Sequence, residues 1–174
     1  MKSFVLGGGC FWCLDSAFMQ FDGVADVEVG YAGGAAATAD YESVCNGNTG
    51  HVEVARVVFD ETVVPADVIL DMFFTMHDPT QLNRQGNDVG TQYRSAMFFA
   101  DDEQRAVFEA ARERAVAQWG SGVVTAIEPL VEFFPGEEYH QDFFAKNPNQ
   151  GYCNFVVAPK VAKTGKAFSE YLRK

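Results

Sequence analysis

Phe4-Val5-Leu6-Gly7-Gly8-Gly9-Cys10-Phe11-Trp12-Cys13 joins a short apolar run to three glycines, a cysteine, an aromatic pair and a second cysteine. The run reads as a strand, the glycines as a sharp turn, and Cys10 as the place where the next helix begins. A helix N-terminus directs free N–H groups and partial positive charge at a side chain placed there. That setting can lower a cysteine pKa to roughly 3.5–7.5, so Cys10 is a candidate nucleophile. Cys13 falls three residues on, on the same helical face, with Cβ atoms about 5–6 Å apart in an ideal helix. Attack by Cys10 followed by resolution by Cys13 is sterically reasonable. Phe11 and Trp12, two large rings beside a turn, must be buried or line a pocket.

Downstream, Cys10 to Gln20 reads as a helix, and Val27, Val29 and Tyr31 alternate in a strand ending at Gly33-Gly34. A small-residue loop from Ala35 to Ala39 leads to Tyr41, and Val52 to Phe59 is the next strand, with Glu53 and Val54 on opposite faces. Pro65 opens a helix whose buried stripe is Val68, Ile69, Met72, Phe73 and Met76. Asp78 to Ser95 has no sustained period, as functional loops often do not. Ala96 to Phe99 is a short strand, Asp101 starts a helix to about Trp119, and Val123 to Phe133 reads as another strand. Glu137 to Lys146 reads as a short helix, followed by Phe155-Val156-Val157 and a final amphipathic helix. This order predicts an α+β fold with a ferredoxin-like split βαβ core, a mixed sheet with helices packed on it. Both βα junctions are expected on one surface, carrying Cys10 and the long loop together.

The 174 residues form one domain, 1–174, long enough for a full core. Sixteen Phe and 48% hydrophobic residues exclude general disorder. Thirteen Lys and Arg face 24 Asp and Glu, a net charge of −11, so nucleic acid and anionic membrane surfaces are repelled on average. No apolar stretch approaches a membrane span, and Met1-Lys2-Ser3 with three apolar residues is not expected to be a signal peptide. Four cysteines in a chain this long are not a secreted disulfide framework, and a reducing cytoplasm is the expected compartment.

Three further segments are rich in polar groups: Tyr41 to Glu53, Asn83 to Ser95, and Tyr139-His140-Gln141-Asp142. Together with Gly9-Cys10-Phe11-Trp12 they closely resemble peptide methionine sulfoxide reductases of the A type. The match runs through Tyr41…Cys45…Gly50-His51-Val52-Glu53, Asp88-Val89-Gly90-Thr91-Gln92-Tyr93-Arg94-Ser95 and Tyr139-His140-Gln141. It spans nearly the whole chain in the family's order.

The resemblance implies reduction of the S epimer of methionine sulfoxide, free or within proteins, without a bound cofactor or metal. It assigns Cys10 as the attacking thiolate, with Glu53, Tyr41 and Tyr93 hydrogen-bonding the sulfoxide oxygen and Asp88 in the same site. Phe11 and Trp12 are expected to hold the S-methyl group. Thioredoxin, or dithiothreitol in the laboratory, is the implied external reductant. The chemistry suits these residue types, because a sulfoxide is a poor electrophile until its oxygen is protonated or strongly hydrogen-bonded. A carboxyl donating near neutrality needs a raised pKa, which burial supplies. The same carboxylate disfavours a Cys10 thiolate, so the proton is expected to pass from thiol to substrate through Glu53. The product is a Cys10 sulfenic acid, which a second thiol condenses with.

The chain departs from the common pattern at Cys13, where many relatives carry glycine. Cys153, in Gly151-Tyr152-Cys153, resembles their C-terminal resolving position, so two resolvers are available and local geometry favours Cys13. Asp15 stands where many relatives have Glu, and Val52 where Ala is frequent. His51 and His140 read as structural hydrogen-bonding partners, His77 as a helix end, and Cys45 as a small buried hydrophobe. Two other readings use the same cysteines. A thioredoxin-like dithiol oxidoreductase leaves Tyr41, Glu53 and Asp88 to Tyr93 without work. A zinc module has only one Cys-x-x-Cys pair to draw on.

Overall fold

In the computed structural model, which describes residues 1–174, β1 (Lys2–Gly7) pairs antiparallel with β3 (Val52–Phe59) on one side and β6 (Ala96–Phe99) on the other. β2 (Val24–Ala32) lies antiparallel on the far side of β3. β1 and β2 are therefore parallel with β3 between them, and β3 and β6 are parallel with β1 between them. These are two interleaved split βαβ units, crossed by α1 (Phe11–Met19) and α3 (Ala66–Met76). A parallel β7 (Ala126–Pro129) beside β6, and β8 (Phe134–Pro135) beside β2, complete a mixed six-stranded sheet.

Alternation along the strands separates two faces. Phe4 and Leu6 of β1 and Ala55, Val57 and Phe59 of β3 meet Leu14, Phe18 and Phe73 of the helices. α4 (Asp102–Trp119) adds Phe108, Ala111 and Ala115 to the same core, its first turn capped by the Asp101 carboxylate, which accepts from Gln104 N–H at 2.8 Å. Each of these large side chains contributes about 1.5–3 kcal/mol by leaving water. On the other face Val5, Val52, Val54 and Phe98 are covered by Leu130 and Phe133.

Four local expectations change. Val123 to Phe133 is not one strand. β7 ends at Pro129, which has no N–H to continue a ladder, and the chain crosses the helix-free face to form β8 at the opposite edge. Glu137 to Lys146 is not one helix either. A 3₁₀ turn over Glu138–His140 is separated from α5 (Phe143–Lys146) by Asp142, which sits at φ 56 with its N–H held by the Asp15 carboxylate at 2.8 Å. Tyr41 opens a short helix, α2 (Tyr41–Cys45), because Asp40 caps it through Ser43 N–H. Helical backbone runs from Gly151 through a π turn at Cys153–Val157 into α6 (Ala158–Ala167), absorbing Phe155-Val156-Val157.

The two βα junctions also do not share a surface. β1 and β3 are antiparallel, so the turn after Gly7 and the turn after Phe59 lie at opposite ends of the sheet. What joins Cys10 at its end is the return from α3 into β6, which includes a two-stranded hairpin of β4 (Arg84–Gln85) and β5 (Asp88–Val89).

Candidate active site

The glycine turn brings these segments together. Gly9 has φ 91, and a Cβ there would lie 2.7 Å from Cγ of Gln85. Gln85 spans the mouth of the return loop, accepting from Asp78 N–H at 3.0 Å and donating to the Asp78 carbonyl at 2.9 Å. The missing Cβ thus lets the hairpin that carries Asp88 close directly on the cysteine turn. Behind it, His77 caps α3, donating from Nδ1 to the Phe73 carbonyl and accepting at Nε2 from the Ser95 hydroxyl at 2.8 Å. It is a helix end, as its position beside Asp78-Pro79 suggests.

Cys10 is the N-cap residue of α1 and is 7% exposed; Cys13, one turn on, is 2% exposed. Cys153 is buried in the same cluster, which also includes Phe11, Tyr31 and Val44. A hydrogen bond joins the Cys10 and Cys13 thiols and pushes them apart in acidity. Burial, that hydrogen bond and the Glu53 charge raise Cys10 well above the ordinary thiol range. The hydrogen bond, helped by the Lys160 ammonium, holds Cys13 below it. The expectation of an acidic Cys10 therefore fails. Desolvation at a site closed to water outweighs the Trp12 N–H that favours the thiolate.

Glu53, the second residue of β3, lies opposite Tyr31 in register and is 1% exposed. One carboxyl oxygen, Oε1, accepts from Phe11 N–H at 3.2 Å, and the other, Oε2, is buried without a partner. Burial pushes its pKa up to about 8, against the Phe11 hydrogen bond, so the carboxyl holds its proton at neutrality. Tyr41 and Tyr93 are raised above the ordinary phenol value by burial first, and the charges of Glu53 and Cys10 bear on both. A neutral acid and two neutral phenols thus surround one thiol.

Asp88 is on the hairpin and accepts from the Tyr152 hydroxyl, which links the return loop to the segment carrying Cys153. The Tyr152 ring meets the Trp12 edge at 5.8 Å, and Phe143 lies flat on Trp12, centroids 3.8 Å apart and 5° from parallel. Phe11 is fully enclosed by Tyr31, Tyr41 and His140, whereas Trp12 keeps part of its surface exposed. A cavity of about 330 Å³ adjoins Asp88 and Tyr152 and is bordered by Gln85, Phe155 and Lys160.

This constellation is one that sulfoxide reduction can use: a buried thiol pair, a protonated carboxyl with a free oxygen, and phenols beside an indole. The chain matches the family described as peptide methionine sulfoxide reductase over residues 2–172. The chain belongs to that family. MsrA of Clavibacter michiganensis subsp. michiganensis is 60% identical over 173 residues, 99% of each chain. Among solved structures, reduced Mxr1 from Saccharomyces cerevisiae superposes with a TM-score of 0.83 at 36% identity, covering 87% of this chain and 88% of Mxr1. Methionine sulfoxide reductase A of Corynebacterium diphtheriae gives 0.78 at 37% identity, covering 88% and 78%. Mxr1 has also been solved in complex with Trx2, with a TM-score of 0.58 at 26% identity over 82% of this chain and 84% of that one. This peptide methionine sulfoxide reductase therefore reduces methionine sulfoxide.

The sequence segments serve this reductase unequally. His51 is structural, accepting from Gly34 N–H at 3.1 Å and donating to the Ala35 carbonyl at 2.8 Å. Cys45 is exposed rather than buried, because α2 turns its last residue outward, one turn from Tyr41. Residues the sequence reading passed over supply the frame. Glu137 accepts from the Tyr31 hydroxyl at 2.8 Å and from Tyr41 N–H at 3.0 Å. Gln141 pairs with both backbone groups of Val29 at 2.9 Å, like an added strand residue. Their signal was the segment Tyr139-His140-Gln141, read there as polar and as part of the family match but without these contacts. No group of three or more His, Cys, Asp or Glu is arranged to hold a metal ion, and no helix is long and apolar enough to cross a membrane.

Proposed function

We propose that this reductase acts on the S epimer of methionine sulfoxide, free or within proteins, with Cys10 as its nucleophile and Glu53 as its acid. The observation that carries the reading is Glu53 Oε2, an unpartnered and fully buried oxygen beneath the Cys10 turn, on a carboxyl that burial keeps protonated at neutrality. Substrate oxygen is the acceptor that satisfies it, with the Tyr41 and Tyr93 hydroxyls as further donors. Trp12 offers the apolar surface for the S-methyl group, and Phe11 backs the site. Asp88 anchors Tyr152 at its rim.

In this sequence of events Glu53 protonates the sulfoxide oxygen as the Cys10 sulfur attacks the substrate sulfur. The Cys10 proton replaces the one Glu53 gave. The S–S bond formed by that attack and the substrate S–O bond then break as the hydroxyl passes to the Cys10 sulfur, so that two electrons have left the thiol, the oxygen ends on Cys10 as a sulfenic acid, and methionine departs. A second thiol attacks that sulfenic acid, forming a disulfide and releasing water. Cys13 is the nearer and more acidic thiol, which supports it as first resolver, with Cys153 acting after it. An external dithiol then returns the protein to its starting state and leaves as a disulfide. The Mxr1–Trx2 complex supports thioredoxin in that role, in the reducing cytoplasm that the cysteine usage favours.

Turnover of the two separated methionine sulfoxide epimers with dithiothreitol tests the reading. Wild type should consume the S epimer alone. Cys10→Ser should remain folded and release no methionine. Comparable turnover of both epimers, or single-turnover activity in Cys10→Ser, would overturn it.

A further inference from the structure

α2, which carries Tyr41, has little of its own to hold it in place. Its five residues fall far short of the length at which a helix is stable alone in water. Val44 is its one buried side chain, and the loop before it, Ala35 to Ala39, is made of small residues. Asp40 caps Ser43 N–H, which leaves the N–H of Tyr41, the first helical residue, without an intrahelical partner. Glu137 Oε2 accepts it at 3.0 Å. The other carboxyl oxygen, Oε1, accepts from the Tyr31 hydroxyl at 2.8 Å. Tyr31 is fully buried and lies directly opposite Glu53 across the β2–β3 ladder. Side chains paired in this way share one face of the sheet, with Cβ atoms about 4.5–5.5 Å apart. A single carboxylate thus spans from the strand pair that carries the acid to the helix that carries a phenol of the same site. Glu137 is itself fixed by the sheet. β8 delivers it, with Gly30 opposite Pro135 and Tyr31 opposite Phe134, and Gly136 N–H donates to the Val29 carbonyl at 2.8 Å. A Cβ on Gly30 would lie 2.2 Å from the Phe134 carbonyl oxygen, so the close approach of β8 depends on glycine there. Burial pulls the Glu137 carboxyl upward, but the hydrogen bonds from Tyr31 and Tyr41 outweigh it and hold it below its ordinary value. Both oxygens therefore accept at neutrality.

We propose that Glu137 is a positioning residue for sulfoxide reduction, a two-oxygen clamp that sets the reach of the Tyr41 hydroxyl relative to Glu53 so that both donate to one sulfoxide oxygen. This rests on the assignment of Tyr41 to that oxygen. An O–H···O hydrogen bond is confined to about 2.5–3.0 Å, so a small drift of α2 takes the phenol out of range. Ring contacts with Phe11 and His140 hold the plane of Tyr41, and Glu137 holds the backbone beneath it. Glu53 keeps its place on β3 without the clamp, because the ladders to β1 and β2 and the Phe11 N–H hold it there. Loss of Glu137 therefore removes one donor to the sulfoxide and leaves the other.

The test is a double-mutant cycle on single-turnover methionine release at saturating methionine S-sulfoxide, with thermal unfolding recorded for each protein. Tyr41→Phe removes the hydroxyl and keeps the N–H that Glu137 holds. Glu137→Ala removes both accepting oxygens. Each should slow release roughly three- to tenfold, the loss of about one hydrogen bond. The double variant should be no slower than Tyr41→Phe alone, because the clamp acts only through the hydroxyl already removed. A merely structural carboxylate would lower the unfolding temperature and leave the two rate effects multiplying. Glu137→Gln keeps an oxygen for Tyr41 N–H and should release methionine at close to the wild-type rate. Tyr31→Phe removes only the far pin of the clamp at almost unchanged shape, so it answers the question even if Glu137→Ala does not fold. It should slow release about two- to threefold, again with no further effect in the Tyr41→Phe background. Rate effects of Glu137→Ala and Tyr41→Phe that multiply, or a wild-type rate in Tyr31→Phe, overturn the proposal. If Tyr41→Phe itself releases methionine at the wild-type rate, the assignment of Tyr41 to the sulfoxide oxygen falls, and the clamp falls with it.

Discussion

Glu53→Gln should make this enzyme more stable while disabling it. Burial raises the Glu53 carboxyl from 4.5 to about 8. An unfolded chain releases that proton near 4.5, whereas the folded chain keeps it until about 8. Between those values the folded state binds more protons, so stability falls as pH rises, at about 1.4 kcal/mol per pH unit. By pH 7 the accumulated cost is about 3 kcal/mol, and it levels off above pH 8. Glutamine keeps an oxygen for Phe11 N–H and carries no such cost, but its amide leaves an extra hydrogen without a partner, a penalty of about 1 kcal/mol. The net gain is about 2 kcal/mol at pH 7, roughly 4–8 °C in Tm for a chain of this length. It shrinks toward zero as pH approaches 5. Urea unfolding at several pH values between about 5 and 9 measures it, and reduction by the same variant should fall about 10²–10⁴-fold. A variant no more stable than wild type at pH 8 would show that Glu53 is ionised in the fold, and the acid role would fail with it.

Peptide mapping after one equivalent of methionine S-sulfoxide should find a Cys10–Cys13 disulfide first and a Cys153-containing disulfide later. Cys13→Ser should still release one methionine per enzyme but recycle slowly with thioredoxin. A dominant Cys10–Cys153 linkage at the earliest times would reverse the order. Tyr152→Phe removes a hydroxyl that bonds Asp88 and favours the Cys13 thiolate. It should slow disulfide formation more than methionine release, as stopped-flow quench experiments can separate. Equal slowing of both steps would place Tyr152 in the sulfoxide step instead.

The strand–turn–cysteine junction and the helix positions of Val68 to Met76 were legible because they depend on local period and on glycine. Glu53 was legible only through the family resemblance, although the strand pattern agrees with it. Its parity with Ala55, Val57 and Phe59 puts it on the helix side of β3. What local pattern does not encode is which edge of the sheet a segment reaches. Residues 123–133 read as one strand, yet only Ala126–Pro129 pairs there, because Leu130 and Phe133 cover Val5 and Val54 before the chain pairs again at Phe134 on the opposite edge. The acidity of Cys10 was misread for a different reason. A helix terminus is visible in sequence, but the loss of water around it is made by Tyr31, Val44, Tyr152 and Cys153, which come from distant parts of the chain. The fold of residues 137–142 hid behind side chains that act as backbone, with Gln141 imitating a strand and Asp15 fixing Asp142 in a left-handed conformation.

The two edges of the sheet are short, four residues in β7 and two in β8, and each strand ends on a proline. An edge strand with free N–H and C=O groups is a template on which any unfolded polypeptide adds itself. With Pro129 and Pro135 closing both borders, little of this sheet is left for an extended polypeptide to pair with. A chain brought to this enzyme is therefore met by side chain and not by strand addition.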